Sequence, residues 1–131
     1  MVERRAGAIV SIASDAGFGE FRMGDYGPMK AGVMAFSRTI AKEYGRYGVR
    51  SNAVCPGLVI PEPDAIGEGS LWNAEIGFGD KQIRDMEAAI PLHRRPEATD
   101  IASAVTYLAS DKARMLTGQV VSVSGGFAMP R

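Results

Sequence analysis

Three side chains in this sequence have the types and spacing that acid–base chemistry requires. Tyr26 and Lys30 lie four apart in "DYGPMKAG", residues 25–32, and Ser14 ends the earlier segment "GAIVSIAS", residues 7–14. Residues four apart on a helix share a face, so the phenol and the ammonium can point into one cleft. A phenol with an ordinary pKa of about 10 is a poor base at neutral pH; a cation within hydrogen-bonding range favours the phenolate by about 1–3 units. That brings a tyrosine nearer to the useful range for proton transfer. A serine at the carboxyl edge of a strand could hold a carbonyl beside that phenol, because open α/β sheets place their ligands at this edge. Each reading has a plainer counterpart: Lys30 can be a snorkelling surface cation, and Ser14 can simply open a turn.

Other chemically suggestive residues carry less. Cys55-Pro56-Gly57 closes an apolar segment, and a glycine there would let a ligand approach the backbone, although a plain strand-ending turn fits equally well. Cys55 has no cationic neighbour in sequence and reads as a buried, inert thiol. His93 stands with Arg94 and Arg95 in a solvated loop; one histidine and one cysteine do not make a metal site. Trp72 and Phe78 could line a pocket, or pack beneath a lid. There is no G-x-S-x-G elbow for a hydrolase, and no G-x-G-x-x-G for dinucleotide phosphates.

These residues need elements to position them. "AIVSIA", residues 8–13, is apolar and β-branched, as in a strand buried on both faces of a parallel sheet. A glycine-containing loop follows over 14–25. Met29, Val33, Phe36 and Ile40 then recur at spacings of three and four, which predicts a helix with this stripe facing the core. Pro28 falls in its first turn, where a missing N–H costs little, and Gly45 and Gly48 end it. "VRSNAVCPG", residues 49–57, predicts a second strand. Pro61, Pro63, Gly67, Gly69, Gly77 and Gly79 break up the segment that follows, a long functional loop or lid with a short helix in "DKQIRDMEAAI". "PEATDIASAVTYLASD", residues 96–111, predicts a helix with Ile101, Val105 and Leu108 inward, and "QVVSVSGG" a third strand. The order β-α-β-loop-α-β indicates an α/β fold with a parallel sheet and right-handed crossovers. Because the first strand lacks an upstream neighbour, the pattern reads as half of a larger sheet, whose free edge invites association.

Composition narrows the function classes. The 131 residues hold 15 Lys+Arg and 15 Asp+Glu, a balance that argues against nucleic acid or an anionic membrane as the main partner. No apolar run approaches the roughly 18 residues of a membrane span. Arg4 and Arg5 before an apolar run imitate a signal peptide, but the run is too short and Asp15 follows it. A single cysteine excludes an internal disulfide and suits a cytoplasmic protein.

Taken together, "GAIVSIAS", "YGPMKAG", "FSRTIAKEYGRYGVRSNAVCPG" and "IPLHRRPEATDIASAVTYLASDKARMLTGQVVSVSGG" occur in an order that resembles the carboxyl-terminal half of a short-chain dehydrogenase/reductase. The resemblance covers nearly the whole chain and is weakest over 60–88. It implies a single partial Rossmann-like domain over 1–131, without the dinucleotide phosphate-binding half, and an NAD- or NADP-dependent oxidoreductase acting on a secondary alcohol or ketone. The "TGQVVSVSGG" ending points to a hydroxyacyl or oxoacyl thioester. By the resemblance Ser14 holds the substrate oxygen, Tyr26 gives or takes its proton, and Lys30 favours the phenolate and hydrogen-bonds the nicotinamide ribose. Pro56, Gly57 and Val59 lie against the nicotinamide, residues 61–90 form the substrate loop, and the helix near Tyr26 joins subunits of a homo-oligomer. No metal is implied. Three departures stand out: the glycine-rich loop and catalytic asparagine are absent, Pro61 replaces a common threonine, and Ser124 stands where the family often carries Asp before Gly-Gly. The alternative is a non-catalytic remnant that serves as an oligomerising or interaction module.

Overall fold

The computed structural model describes residues 1–20, 23–62, 64, 66, 67 and 80–129. Strand β1 (Gly7–Ile12) leads through a 3-10 turn (Asp15–Phe18) to helix α1 (Tyr26–Tyr44). Strand β2 (Val49–Pro56) follows, then helices α2 (Asp80–Ala88) and α3 (Ala98–Ala109), and strand β3 (Val120–Val123). The strands form one sheet in the order β1-β2-β3, parallel throughout, with Gly7 beside Val49 and Pro56 beside Val123. The α/β expectation and every expected element are found; the ends of β1 and β2 lie within a residue of their expected positions, and β3 stops three residues before the end of "QVVSVSGG". Much of the expected substrate loop, including Trp72 and Phe78, lies outside the described residues.

The two faces of β2 divide the core. Ala53 and Cys55 pack with Ala13, Met34 and Val33, on the side covered by α1. Val54 packs with Leu108, Ile101 and Val105 of α3, on the other side. The inward stripe expected of α3 is therefore the one observed. The helix is also well started: Glu97 and Asp100 exchange capping contacts, and the Glu97 N–H donates to Asp100 Oδ2 at 2.8 Å. The arrangement corrects one topological expectation. Both crossovers step in the same direction across the sheet, yet α1 and α3 lie on opposite faces. They therefore have opposite hands, and one of them breaks the right-handed rule. With α1 on one face, the other is where the apolar stripe of α3 can be buried.

Two further expectations need correction. Only part of the stripe Met29-Val33-Phe36-Ile40 faces the core: Val33 and Ile40 are half-buried and Val33 packs against the sheet, but Met29 is 69% and Phe36 62% exposed. The buried positions are Gly27, Met34, Ser37 and Ala41. Both sets have helical spacing. Gly27, Ser37 and Ala41 permit a close approach, Met34 fills the space between helix and sheet, and Met29 and Phe36 are left outward. Strand β1 is also not buried on both faces: Ile9 and Ile12 are exposed, as befits an edge strand in this sheet.

Strand β2 carries polar residues that the apolar pattern did not explain. Arg50 donates to the carbonyls of Leu108 (2.7 Å), Ser110 (3.1 Å), Leu116 (3.3 Å) and Ala109 (3.4 Å). A cation thus closes the carboxyl end of α3, where carbonyls lack partners and the helix dipole is negative. Asn52, fully buried, donates to Leu116 O at 2.9 Å and accepts the Gln119 N–H at 3.0 Å, which aligns β3. Replacing Arg50 with Met leaves these carbonyls without their charged donor. The expected loss is about 2–3 kcal/mol in chemical denaturation, with partial recovery in Arg50→Lys.

Candidate active site

The carboxyl ends of the three strands gather the expected site residues. β1 ends at Ile12, and the Ala13 N–H donates to Val54 O at 2.8 Å, continuing the pairing with β2. The same register carried two residues on sets Ser14 beside Pro56. Ser14 also opens a turn: it is the N-cap of the 3-10 segment, and its Oγ accepts the Ala16 N–H at 3.2 Å. The plainer role and the site role coexist, since that bond uses an acceptor lone pair and leaves the hydroxyl proton available.

Tyr26 is the first residue of α1 and is 42% exposed, with its ring open to solvent. Lys30, one turn on, donates from Nζ to Ile12 O at 3.2 Å and stands 5.6 Å from the Tyr26 ring centroid. The cation is thereby tied to the end of β1 and held beside the phenol ring. Pro28 lies between them in the first helical turn, as expected.

Two glycines set how closely α1 approaches the Ser14 turn. A Cβ on Gly27 would lie 2.9 Å from Ala16 O, and one on Gly17 would lie 2.9 Å from the Ala31 nitrogen. Gly27 adjoins Tyr26, and Ala16 is two residues after Ser14, so this backbone contact spaces the phenol from the hydroxyl.

Pro56, Gly57 and Val59 form a partly buried floor. Gly57 donates to Val123 O at 3.1 Å, and a Cβ there would meet Ser124 Cβ at 2.8 Å. The Val59 N–H is turned back on Gly57 O at 3.0 Å, so the expected contact from this backbone to a carboxamide would need that bond to open. Cys55 is fully buried, and burial pushes its thiol up to about 11, which bears out the inert reading. Arg95 pairs with Glu87 at 2.6 Å and Arg94 with Asp100 at 3.4 Å, so the basic cluster around His93 is engaged in ion pairs. An open apolar cleft of about 490 Å³, lined by Val2, Ile9, Ile40 and Tyr44, lies where the amino ends of the strands begin, away from Ser14 and Tyr26. Among the described residues no group of His, Cys, Asp or Glu could hold a metal, and no helix is long and apolar enough to cross a membrane.

The family model described as Enoyl-(Acyl carrier protein) reductase matches residues 1–128. A crystal structure of an oxidoreductase of the short-chain dehydrogenase/reductase family from Burkholderia thailandensis superposes with a TM-score of 0.82 at 35% identity, over 97% of this chain and 47% of that one. The chain belongs to the short-chain dehydrogenase/reductase family. It is 38% identical over 130 residues to 3-oxoacyl-(acyl-carrier-protein) reductase FabG of Staphylococcus epidermidis, covering 98% of this chain and 49% of that protein. A Beutenbergia cavernae structure, described as a candidate NAD(P)-dependent gluconate 5-dehydrogenase and holding NADP at low occupancy, superposes with a TM-score of 0.84 at 30% identity, over 97% of this chain and 48% of that one. The chain spans about half the length of the curated relatives it matches.

Sequence reasoning missed Asp15. It is 3% exposed, and its carboxylate accepts the Ser122 hydroxyl at 3.0 and 3.2 Å. Ser122 in turn bonds Ser124, the departure noted before Gly-Gly, at 2.7 Å. The available signal was a carboxylate placed directly after a strand-ending serine. Burial pushes the Asp15 carboxyl up to about 6, partly offset by the Ser122 and Ser124 hydroxyls and reinforced by Glu20. The folded chain therefore holds this proton more tightly than the unfolded chain. Its stabilising contribution is fully present below about pH 4 and is lost as pH rises through about 6. The loss is about 3 kcal/mol across that window, and Asp15→Asn should remove this slope from stability measured by denaturation at stepped pH.

A paired test addresses the helix approach. Gly32 has open space around its Cβ position, whereas Gly27 meets Ala16 O. Gly32→Ala should stabilise by up to about 1 kcal/mol through helix propensity. Gly27→Ala should destabilise by about 1–3 kcal/mol, both read from denaturant midpoints.

Proposed function

We propose that this chain carries the acid–base half of a cytoplasmic NAD(P)-dependent oxidoreductase that interconverts a secondary alcohol and a ketone. The observation that carries the reading is the placement of Lys30: bonded to Ile12 O and 5.6 Å from the Tyr26 ring, it puts a cation beside an exposed phenol, two residues from Ser14. The family membership and the relatives' printed activities support the reaction class. The name of the Staphylococcus epidermidis relative favours an oxoacyl thioester as substrate. Residues 61–90 serve as its substrate loop.

The residues present fit the nicotinamide-ribose end of a dinucleotide. Lys30 has donor capacity beyond its one bond to Ile12 O, since an ammonium carries three protons. Pro56 and Gly57 offer a partly buried floor one strand away from Ser14. When bound, the nicotinamide supplies or takes the hydride at the substrate carbon. In the reducing direction the Ser14 hydroxyl donates to the substrate carbonyl oxygen, and Tyr26 gives that oxygen its proton. In the oxidising direction Tyr26 takes the proton back. Lys30 stabilises the phenolate left after proton donation. Because these 131 residues contain no glycine-rich phosphate loop, cofactor affinity in the chain is weak and assays need high cofactor concentrations.

One observation favours a second reading, the non-catalytic interaction module. The outward side of α1 exposes Met29 and Phe36, and β1 is an edge strand in this sheet. In the enzyme reading the same helix side joins subunits of a homo-oligomer. Cofactor-dependent turnover of an oxoacyl thioester separates the two readings. Tyr26→Phe is expected to lower it by about 10²–10⁴-fold, followed as loss of NAD(P)H absorbance. Turnover that is indifferent to Tyr26→Phe would sink the enzyme reading and leave the module.

A further inference from the structure

Among the described residues Asp15 is the one charged side chain that is buried. Its hydrogen bond to Ser122 reaches from the end of β1 to β3, passing over β2, where Cys55 pairs in register with Ser122. An ionised carboxylate can only accept, so the single Ser122 hydroxyl proton goes to Asp15. Ser122 Oγ is then the acceptor for Ser124 at 2.7 Å, and Ser124 Oγ accepts the Ala128 N–H at 3.2 Å. One charge thus sets the direction of the two serine hydroxyls, while the Ala128 N–H can only donate. A protonated Asp15 can donate to Ser122 instead, and the row can reverse, with the Ser124 hydroxyl turned to Ala128 O at 3.5 Å. The row ends beside Phe127, whose N–H donates to Ser124 O at 3.3 Å. At its other end Asp15 immediately follows Ser14, in the turn against which the first turns of α1 are packed.

We propose, resting on the reading of Ser14, Tyr26 and Lys30 as the reacting trio, that Asp15 is the positioning residue of this site: its charge orders the Ser122–Ser124–Ala128 row and so ties the Ser14 turn to the carboxyl end of β3 and the segment after it. The ionisable groups around Asp15 are few. Glu20, from the end of the 3-10 turn, acts on it directly, and the Cys55 thiol of β2 lies in the same pocket. Lys30 and Arg38 are the cations of α1 that act on Cys55. The Ser122 hydroxyl of β3 and the Ser124 hydroxyl just beyond that strand face it.

The test is an NMR titration of the full 131-residue chain, following the amides of Ser14, Ala16 and Ala128 and the Tyr26 ring. All four are expected to shift with one midpoint near 6, that of the Asp15 carboxyl. Asp15→Asn should abolish the shared step. Ser122→Ala should keep it at Ser14 and Ala16 and remove it at Ala128. Exchanging the two groups, Asp15→Ser with Ser124→Asp, should restore a step at Ala128. Glu20→Gln should lower the midpoint without removing the step. A step that survives Asp15→Asn, or one that vanishes with Glu20→Gln, overturns the assignment. A row that titrates while Ser14 and Tyr26 stay still overturns the positioning role. None of these signals needs cofactor or turnover, so the catalytic reading can fail through Tyr26→Phe while the row stands, and the reverse also holds.

Discussion

The site depends on one backbone contact. Helix α1 comes close to the turn after β1 because Gly27 and Gly17 present no side chains where Ala16 O and the Ala31 nitrogen approach. A larger residue at either place would push the helix away from the turn. Everything chemical rides on that spacing. Tyr26 precedes Gly27, Ser14 precedes Ala16 by two residues, and Lys30 can reach Ile12 O only from a helix lying this near the strand end. The same closeness explains why α1 buries Ser37 and Ala41 and leaves Phe36 outside. Ser37 even completes the contact with a hydrogen bond, Oγ to Oγ at 3.0 Å, with Ser51 of β2.

The sequence made the elements legible and the orientation of one of them illegible. Strand and helix positions follow from apolar runs, glycine and proline, all of them local signals. Helix α3 was readable down to its buried residues, because Ile101, Val105 and Leu108 are its one apolar stripe and Glu97 and Asp100 mark its start. Helix α1 offers two stripes offset by about one residue, and the hydrophobic one is only half turned to the sheet. Its packing is decided by the size its neighbours tolerate, which appears in the partner turn and not in the helix. The hand of the crossovers was hidden for a similar reason: it depends on which face of the sheet is still open when α3 arrives.

The site was legible where its residues are spaced along one element and obscure where they meet across the sheet. Tyr26 and Lys30 are one helical turn apart, and Ser14 and Pro56-Gly57 end strands, so pattern and resemblance reach them. Asp15 and Ser122 stand 107 positions apart and meet only through the β1-β2-β3 order. Ser124, which looked like a lost carboxylate before Gly-Gly, sits in the hydrogen-bonded row that Asp15 supplies with one. A departure from a family pattern at one strand end thus has its counterpart at another, and only the folded sheet shows the two together.

Lys30 shows why the candidate acid–base pair belongs to the sheet as much as to the helix. A free lysine four residues after a tyrosine loses side-chain entropy when it is held in place, and in water it gains little by staying near a ring. Here Ile12 O, at the carboxyl end of β1, supplies the anchor. That carbonyl is free because Ala13, not Ile12, carries the pairing to β2, and β1 is an edge strand in this sheet. The cation is then fixed by the same backbone that fixes the hydroxyl, while Gly27 fixes the phenol against it. Moving any one of the three would require moving β1 relative to α1, and Met34 and Ala13, buried together between them, oppose that motion. No described hydrogen bond joins Ser14, Tyr26 and Lys30 to one another; the backbone alone sets their spacing.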